Sequence, residues 1–318
     1  MQGDNLRVFT SSLSSYNECR VIILRYLLVA CHPTTSLGDN LGVFTLGLLS
    51  CSECRVIILE YLLEACHPAL VAGSIKFFLK NMFPLKISEI SKTFAQPVLE
   101  KVSFDVKPNE IFGFIGLNGQ GKTTLIKIIL DLLDQDHGEV EIFGVSRILP
   151  EARKRVCYLP EKFHPSIHQK GEEFLQFVLD FYGKKYDAAK ARELCENLDL
   201  KFEMLKQKVS KYSKGMTQKL GLLAVFLSEA DLVILDEPMS GLDPKARIAL
   251  KRELIAYKNS GKTVFFSSHI LSDMDEICDS IAILNNAQIA YCGSPQGFKN
   301  KHEEDSLDKA FLREIGVS

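Results

Sequence analysis

The sequence predicts an α/β fold with a mostly parallel sheet and helices on both faces of that sheet. After Met82, short apolar runs typical of buried strands alternate with longer runs of helical periodicity. A glycine-rich segment at residues 116–123 joins one of these strands directly to one of these helices. Because each helix returns the chain across the sheet before the next strand begins, this alternation favours parallel strands.

The expected strands are short apolar runs, and the expected helices have apolar residues at helical spacing. The strands cover Lys86–Ser91, Val102–Val106, Ile111–Ile115, Val140–Phe143, Leu232–Leu235, Val264–Ser267 and Ile281–Leu284. The helices cover Leu125–Leu133, Gly171–Tyr182, Asp187–Leu198, Met216–Ser228 and Ala246–Asn259. Asp243 and Pro244 are typical of an N-cap and of a first helical position, so they predict the start of the last of these helices.

The segment Gly116–Thr123 fits the pattern G-x-x-x-x-G-K-[ST], which is typical of a phosphate-binding loop. Its glycines let backbone N–H groups turn toward phosphates, and the following helix directs its positive end at them. Lys122 would neutralise the β- and γ-phosphates, and Thr123 would offer a hydroxyl to Mg²⁺. We therefore expect ATP contacts from Gly116, Leu117, Asn118, Gly119, Gln120, Gly121, Lys122, Thr123 and Thr124.

A buried strand, Leu232–Leu235, leads directly into Asp236 and Glu237. Two carboxylates in this position can hold the water shell of a metal ion and activate a hydrolytic water. We expect Asp236 to serve Mg²⁺ and Glu237 to act on the water. Taken alone, an apolar strand that ends in Asp-Glu is often an ordinary junction between a strand and a loop.

The order and spacing of these motifs resemble an ABC-type ATPase from Ile87 to about Cys292. The resemblance implies a P-loop NTPase with an ABC-type core sheet, a small antiparallel β subdomain and a helical subdomain. We expect an ATPase domain at residues 82–301, a helical subdomain at about residues 163–228, and a C-terminal tail helix at residues 302–318.

The segment Tyr212–Met216 resembles the signature loop of this family. In the family, this loop contacts the γ-phosphate of ATP held by the opposite subunit through a serine hydroxyl, a glycine N–H and the positive end of a helix. Ser213 and Gly215 match this pattern and are implied to bind that ATP. Lys214 departs from it, because glycine is commonest at this position.

Three more residues take roles from the resemblance. Asp243 ends the segment Ser240–Asp243, which resembles the loop that crosses the dimer interface. His269 resembles the switch histidine, which hydrogen-bonds the γ-phosphate and fixes the attacking water. Phe94 lies where the family has an aromatic residue that stacks on adenine, and the alternative is an ordinary phenylalanine of the hydrophobic core.

Glu161 in Tyr158–Glu161 departs from the family pattern, which has a glutamine that ligates the metal and senses the transport partner. A glutamate still offers Mg²⁺ an oxygen, so we expect Glu161 to act with Thr123 and Asp236 as a metal ligand. It also adds a negative charge and loses an amide donor. The alternative is a carboxylate in a solvent-facing turn.

Residues 1–81 contain a duplicated unit of 35 residues, in which Glu18–Leu24 recurs as Glu53–Leu59. A stable solenoid needs roughly three or more units, so we expect a poorly structured or non-native extension, and Met82 could be the native start. A zinc clip of Cys51, Cys54, Cys66 and His67 is an alternative that the first copy disfavours, because it has Tyr16 in place of Cys51. Amphipathic segments at residues 21–28 or 75–83, docked on a membrane or a partner, are another alternative.

The formal net charge of −2 creates no overall cationic field, so we expect no nucleic acid partner. No run reaches the roughly 18 to 20 apolar residues of a membrane-spanning helix. The resemblance implies an ATPase subunit that forms a homodimer or a heterodimer with another such subunit and uses ATP and Mg²⁺ to power a transporter. The transmembrane permease subunits of that transporter would be separate chains. The motifs of this chain look most like those of exporter subunits, and the chain would lie peripherally on the cytoplasmic face of the cell membrane.

Two other functions stay open at this point. A soluble ABC ATPase could act on ribosomes, DNA or cofactor assembly, but such proteins usually have paired ATPase domains, long coiled-coil insertions or zinc modules. A regulator that barely hydrolyses ATP is disfavoured by the intact Lys122, Asp236, Glu237 and His269, and only Glu161 leaves it open.

Overall fold

The computed structural model of the protein describes residues 83–316. Its strands are β1 (Leu85–Thr93), β2 (Pro97–Val106), β3 (Ile111–Ile115), β4 (His137–Ile142), β5 (Val145–Ser146), β6 (Val156–Leu159), β7 (Leu232–Asp236), β8 (Thr263–Ser268), β9 (Ser280–Asn285) and β10 (Gln288–Gly293). Its helices are α1 (Lys122–Ile129), α2 (Pro150–Arg153), α3 (Gly171–Phe181), α4 (Ala188–Asn197), α5 (Lys214–Ser228), α6 (Pro244–Asn259), α7 (Leu271–Ile277), α8 (Pro295–Lys301) and α9 (Leu307–Glu314). The duplicated segment, the zinc hypothesis and the amphipathic segments, except for Phe83, lie outside the described residues.

The larger sheet has the strand order β10-β9-β3-β8-β7-β6. Strands β9, β3, β8, β7 and β6 are parallel, and β10 pairs antiparallel with β9 at one edge. Every residue of β3, β7 and β8 is buried, as expected for parallel strands that are covered on both faces. The prediction of a mostly parallel sheet in an α/β fold is confirmed. The chemistry-bearing segments 116–123 and 237–243 follow the carboxyl ends of β3 and β7, two strands separated only by β8.

The smaller sheet is antiparallel and has the strand order β2-β1-β4-β5. A group of phenylalanines joins it to the larger sheet. The ring of Phe104 on β2 stacks on Phe112 of β3 with centroids 5.1 Å apart, and on Phe265 of β8 at 6.2 Å. Stacked aromatic rings bury a large apolar area, so this contact holds the smaller sheet firmly against the strand that carries the phosphate-binding loop.

Helices α3, α4 and α5 form a helical region within the predicted range 163–228. Helix α5 begins at Lys214, two residues before the predicted Met216, because Ser213 caps it: the Ser213 hydroxyl accepts from the Met216 N–H at 3.2 Å. All residues from Gln218 to Ser228 are buried. The signature-like segment is therefore attached to a helix that runs through the core.

Three strands and three helices are missing from the sequence-based predictions, and one helix ends early. The missing strands are the two-residue β5, the strand β6 at one edge of the larger sheet, and β10, an edge strand without a fully buried residue; the missing helices are the short α2, α7 and α8. Helix α1 ends at Ile129 rather than Leu133, because Asp131 has a left-handed backbone with φ of 60° and a left-handed residue terminates a helix. The predicted start of α6 is confirmed: Pro244 is its first residue, and Asp243 Oδ1 accepts from the Ala246 N–H at 2.9 Å.

At the carboxyl end of the described part, Ser306 caps α9, which packs against α7 and α8. This helix occupies residues 307–314 of the predicted tail helix. Within residues 83–316, no helix is both long and apolar enough to cross a membrane. The cysteines in this part are free thiols: Cys157, Cys195, Cys278 and Cys292.

Candidate functional site

The phosphate-binding loop reaches its shape through two glycines with left-handed backbones. Gly119 has φ of 81° and Gly121 has φ of 107°, values that glycine adopts without steric cost. A Cβ at Gly121 would lie 2.6 Å from Val98 Cγ1 of β2, so the smaller sheet also requires a glycine there. Gly121 is the N-cap of α1 and provides no side-chain cap. The first N–H groups of α1 therefore remain available to an anion.

Lys122 is buried at the start of α1, and its ammonium group lies inside the loop. Lys122 Nζ donates to the carbonyl oxygen of Gly116 at 2.7 Å and to that of Leu117 at 3.4 Å. It also lies 3.4 Å from Glu237 Oε1. The side chain of Gln120 supports the same loop, because its Oε1 accepts from the Leu117 N–H at 3.0 Å. The loop thus holds one cation where phosphate oxygens would approach its N–H groups.

Asp236 ends β7 and is held by hydroxyl donors from both sides. Thr123 Oγ1 donates to Asp236 Oδ2 at 2.8 Å, and Ser267 Oγ donates to Asp236 Oδ1 at 2.6 Å. Asp236 is only 1% exposed. Hydrogen bonds from both sides fix the carboxylate beside the hydroxyl of Thr123, so that the two oxygen ligands expected for Mg²⁺ are adjacent.

Glu237 follows β7 with a left-handed backbone, φ of 52°. Its N–H donates to both the carbonyl oxygen and the hydroxyl of Ser267, at 3.2 and 3.1 Å. His269 Nδ1 and Glu237 Oε2 are hydrogen-bonded at 2.8 Å, and since a carboxylate accepts, Nδ1 carries the hydrogen. Glu237 Oε1 is buried and has no hydrogen bond from the described residues; the Lys122 ammonium contributes charge attraction alone. One buried carboxylate oxygen is thus free to accept a proton.

A pocket of about 300 Å³ brings together nine of the predicted site residues from four segments of the chain. It is lined by Asn118, Gly119, Gly121, Lys122, Thr123, Thr124, Glu161, Glu237 and His269. Glu161 reaches the pocket because β6 lies beside β7 at the edge of the sheet. Burial, with added repulsion from Asp236 and Glu161, raises the pKa of nearby Tyr158 to about 12, so that this phenol stays neutral at physiological pH.

The residues at this pocket fit a magnesium ion. Thr123 and Asp236 offer hard oxygen ligands side by side, and Glu161 lines the same space. No cluster of three or more His, Cys, Asp or Glu side chains suitable for a metal occurs in residues 83–316. Mg²⁺ does not require one, because it keeps several waters and is usually bound by one or two carboxylates together with substrate phosphates.

Ser213, Gly215 and Asp243 are not among the residues that line this pocket. Ser213 and Asp243 are exposed and cap α5 and α6. Their predicted contacts with ATP therefore stay predictions that require a second subunit.

Phe94 is 57% exposed, so the alternative that it is a residue of the hydrophobic core is wrong. The ammonium group of Lys92 lies 5.6 Å from the centre of the Phe94 ring. Its stacking on adenine stays a prediction.

Ser267 has no role in the sequence-based predictions, although it contacts both Asp236 and Glu237. The register of the parallel strands pairs Ser267 of β8 with Asp236 of β7. A signal was available, because Ser267 and Ser268 are polar residues at the end of an otherwise apolar strand. What it lacked was the information that β8 lies next to β7.

Comparisons with known proteins identify the family of the chain. The family model for ABC transporters matches residues 99–240. The ABC-type transporter ATP-binding protein EcsA of Bacillus subtilis is 35% identical over 223 residues, which cover 68% of this chain and 90% of EcsA. An uncharacterized ABC transporter ATP-binding protein of Synechocystis is 37% identical over 199 residues, and the match spans 62% of this chain but only 56% of that protein's length.

A solved structure of an ATP-binding subunit of an ABC transporter has the same fold. It superimposes with a TM-score of 0.64 at 31% sequence identity and covers 72% of this chain and 98% of its own. The shared fold and the EcsA match extend over nearly the whole of these two proteins. The chain therefore belongs to the family of ABC transporter ATP-binding proteins, the ABC-type ATPases.

Proposed function

We propose that this chain binds ATP with Mg²⁺ and hydrolyses it to power a membrane transporter. The observation that carries the proposal is the arrangement around Glu237. Its buried Oε1 has no hydrogen-bond donor in the described part of the chain, its Oε2 is held by His269, and Lys122 lies beside it. A carboxylate aimed into a phosphate-binding pocket is the arrangement that general-base hydrolysis needs.

In this reaction a water oxygen attacks the γ-phosphorus, and the bond to the β–γ bridging oxygen breaks to release ADP and phosphate. Glu237 accepts the proton of the attacking water, and His269 holds the carboxylate in place. Lys122 and the N–H groups at the start of α1 bind the phosphate oxygens. Thr123, Asp236 and Glu161 would hold Mg²⁺, whose charge, when it is bound, offsets the charge of the phosphates.

We further infer that two ATPase subunits act head to tail, as a homodimer or a heterodimer. Ser213 and Gly215 lie outside the pocket of their own chain and stand at the exposed start of α5. The start of a helix with a serine hydroxyl is suited to phosphate. In the dimer these donors, together with Asp243, would close over the ATP of the opposite subunit, and Phe94 would stack on the adenine of its own subunit's ATP.

The transporter itself would be formed with separate transmembrane permease subunits, and the chain would lie peripherally on the cytoplasmic face of the cell membrane. The likeness to EcsA, a transporter ATP-binding protein, supports this partnership. Export is the direction that the variant segments at Tyr158–Glu161 and Tyr212–Met216 favour, because they look most like those of exporter subunits. In that role Glu161 would face both Mg²⁺ and the contact with the permease.

Nucleotide binding is tested first with Lys122→Ala. Loss of the buried ammonium should abolish ATP binding, measured by calorimetry with a slowly hydrolysed ATP analogue and Mg²⁺. Lys127→Ala is the matched control, because Lys127 is an exposed lysine on the same helix and should bind as the wild type does. Retained affinity in Lys122→Ala would refute the phosphate-loop assignment.

The transporter role is tested by affinity purification of the tagged full chain from detergent-solubilised native membranes in the presence of ATP. A stoichiometric polytopic membrane protein, identified by mass spectrometry, is expected. Recovery only with ribosomes or soluble enzymes would contradict the transporter role and favour a soluble ABC ATPase instead. Transport assays with inside-out membrane vesicles that contain the complex would then decide the direction of transport. Export predicts that substrate accumulates inside these vesicles, and ATP-driven release of substrate from them would contradict export.

A further inference from the structure

Phe94 stands on a short turn at one end of the smaller sheet. The turn of residues 94–96 joins β1 to β2, and the Phe94 N–H donates to the carbonyl oxygen of Gln96 at 3.1 Å. Two residues after Gln96, Val98 packs on the phosphate-binding loop, because a Cβ at Gly121 would lie 2.6 Å from Val98 Cγ1. The turn that carries the exposed ring is therefore anchored beside the loop that would bind the phosphates.

An exposed aromatic ring on a turn binds a base well only when it is already ordered. Ordering a side chain at the moment of binding costs affinity, and a ring that is held in place beforehand avoids that cost. The hydrogen bond from the Phe94 N–H fixes the backbone of the turn but not the ring. The groups that hold the ring itself would therefore contribute to the affinity for the nucleotide base.

The ammonium group of Lys92 is the charged group that lies over this ring. Its Nζ is 5.6 Å from the centre of the Phe94 ring, within the distance at which a cation is attracted to an aromatic face. The side chain of Lys92 is only 14% exposed, so its position is restricted. Because the ammonium covers one face of the ring, the opposite face is the one that can stack on a base.

Asp136, directly before β4, fixes the part of β1 that leads into this turn. Lys92 Nζ donates to Asp136 Oδ1 at 2.8 Å, and the Thr93 N–H donates to Asp136 Oδ2 at 2.7 Å. The backbone N–H of Asp136 donates to the carbonyl oxygen of Ser91 at 2.9 Å. Asp136 thus contacts each of the three residues that precede Phe94.

The charge of Asp136 is stable at physiological pH. Hydrogen bonds from Lys92 and from the Thr93 N–H lower the pKa of its carboxyl group. Both of its oxygens accept a hydrogen bond from β1. The carboxylate therefore holds the ammonium of Lys92 over the ring and the backbone of Thr93 below the turn at the same time.

We propose that Lys92 and Asp136 are positioning residues that hold the Phe94 ring ready to stack on the base of the bound nucleotide. Part of the affinity for ATP then comes from an ion pair behind the ring rather than from a group that contacts the nucleotide. The phosphate-binding loop does not depend on this ion pair. The inference rests on the proposed function, in which Phe94 stacks on adenine.

Calorimetry with the full chain, Mg²⁺ and a slowly hydrolysed ATP analogue measures the affinity for the nucleotide. Competition by inorganic tripolyphosphate measures the affinity for the phosphate chain alone. Phe94→Ala should weaken binding of the ATP analogue by about 5- to 100-fold, the usual worth of stacking one base on an aromatic side chain. Asp136→Ala should weaken it by about threefold to tenfold, the usual cost of ordering one side chain on binding. Both variants should bind tripolyphosphate as the wild type does.

Two variants of Lys92 test the cation. Lys92→Met keeps the stem without the charge and should weaken binding of the ATP analogue by about twofold to fivefold, the usual worth of an exposed contact between a cation and a ring. Lys92→Arg keeps a cation that can reach both the ring and Asp136, so it should restore the affinity. At saturating ATP, turnover by all of these variants should equal that of the wild type.

Asp134→Ala is the matched control, because Asp134 is a carboxylate two residues away whose side chain is 95% exposed, and it should bind as the wild type does. Unchanged affinity for the ATP analogue in Asp136→Ala, beside a loss in Phe94→Ala, would overturn this inference alone. An equal loss of tripolyphosphate affinity in Asp136→Ala would also overturn it, because the residue would then support the fold or the phosphate-binding loop. Unchanged affinity in Phe94→Ala would overturn the stacking that belongs to the proposed function.

Discussion

Glu237 has a backbone conformation that few residues other than glycine adopt. A left-handed, non-glycine residue costs about 1 to 3 kcal/mol and persists where its surroundings impose it. Here the constraint comes from Ser267, which accepts the Glu237 N–H through both its carbonyl oxygen and its hydroxyl. The strained backbone directs the carboxylate toward Lys122 and His269, so we infer that the strain serves to place the proposed base.

Glu237→Gln should lower ATP turnover by about 10²- to 10⁴-fold, because an amide cannot accept the proton of the attacking water. ATP binding should persist and the closed dimer should accumulate, which size-exclusion chromatography with ATP would show. Glu196→Gln is the control, since Glu196 is an exposed carboxylate on α4. Turnover equal to that of the wild type would contradict the base assignment.

Ser267→Ala should lower activity by about 10- to 100-fold, the usual effect of losing a residue that orients a metal ligand. Ser267 is the donor to Asp236 Oδ1 and an acceptor for the Glu237 N–H. The readout specific to this role is the Mg²⁺ concentration at half-maximal activity, which should rise. Ser260→Ala, at the end of α6, is the control. An unchanged Mg²⁺ dependence would show that Ser267 is only a packing residue.

At the scale of elements, α5 links the proposed dimer face to the core. Its first residues are exposed or half-buried, whereas its second half is buried on all sides. Its last turn ends at Glu229, which has a left-handed backbone with φ of 51°. The carboxylate of Glu229 is bonded to Lys184 and Lys190, which lie after α3 and in α4. These two ion pairs connect the end of α5 to α4 and to the segment that follows α3.

Stability should depend on pH through Glu229. Hydrogen bonds from Lys184 and Lys190 lower the pKa of Glu229 from 4.5 to about 2. A lowered pKa in the folded state means that the stabilisation is complete above about pH 4.5 and declines as the pH falls toward about 2. The group is well exposed, so the effect is small.

We therefore expect Glu229→Gln to be less stable than the wild type at pH 7, with a difference that shrinks as the pH falls below about 4.5. Urea unfolding of both proteins between pH 7 and pH 3 measures that difference. Glu151→Gln is the control, because its carboxylate forms only an exposed pair with Lys154. A difference that is constant across this range would contradict the assigned ion pair.

At the scale of the whole molecule, two sheets with different strand directions meet at one aromatic cluster. Phe104 is the member from the smaller sheet, and it contacts Phe112, Phe114 and Phe265 of the larger sheet. The same interface brings Val98 against Gly121 at the phosphate-binding loop. Packing between the sheets therefore stabilises the fold and also supports one side of the site.

Phe104→Ala should lower the free energy of unfolding by about 3 to 5 kcal/mol, the usual cost of removing a buried aromatic ring from a core. Phe104 is 6% exposed, so water cannot readily fill the space that the missing ring would leave. Chemical denaturation measures the loss, and Phe181→Ala is the control because Phe181 is 76% exposed. A loss below 1 kcal/mol would show that the two sheets do not depend on this contact.

The parts that could be predicted from the sequence are those encoded locally. The glycine pattern before Lys122, the apolar strand before Asp236 and the Asp243-Pro244 pair each define their structure within a few residues, because backbone freedom, hydrophobic periodicity and capping act over short distances. These patterns sufficed for the α/β fold and for most strands and helices. The two-residue strand β5 and the edge strand β10 lack such a pattern, and the short apolar run of β6 becomes a strand through its pairing with β7.

Only the tertiary structure decided which of these segments meet. The parallel register of β7 and β8 brings Ser267 to Asp236 and Glu237, and the neighbouring β6 brings Glu161 to the pocket. The tertiary structure also leaves Ser213 and Gly215 outside the pocket of their own chain and packs the side chain of Lys214 on Gly241. These outcomes depend on contacts between residues far apart in the chain, so the sequence determined the chemistry available to this protein, and packing of the sheet determined which groups act together.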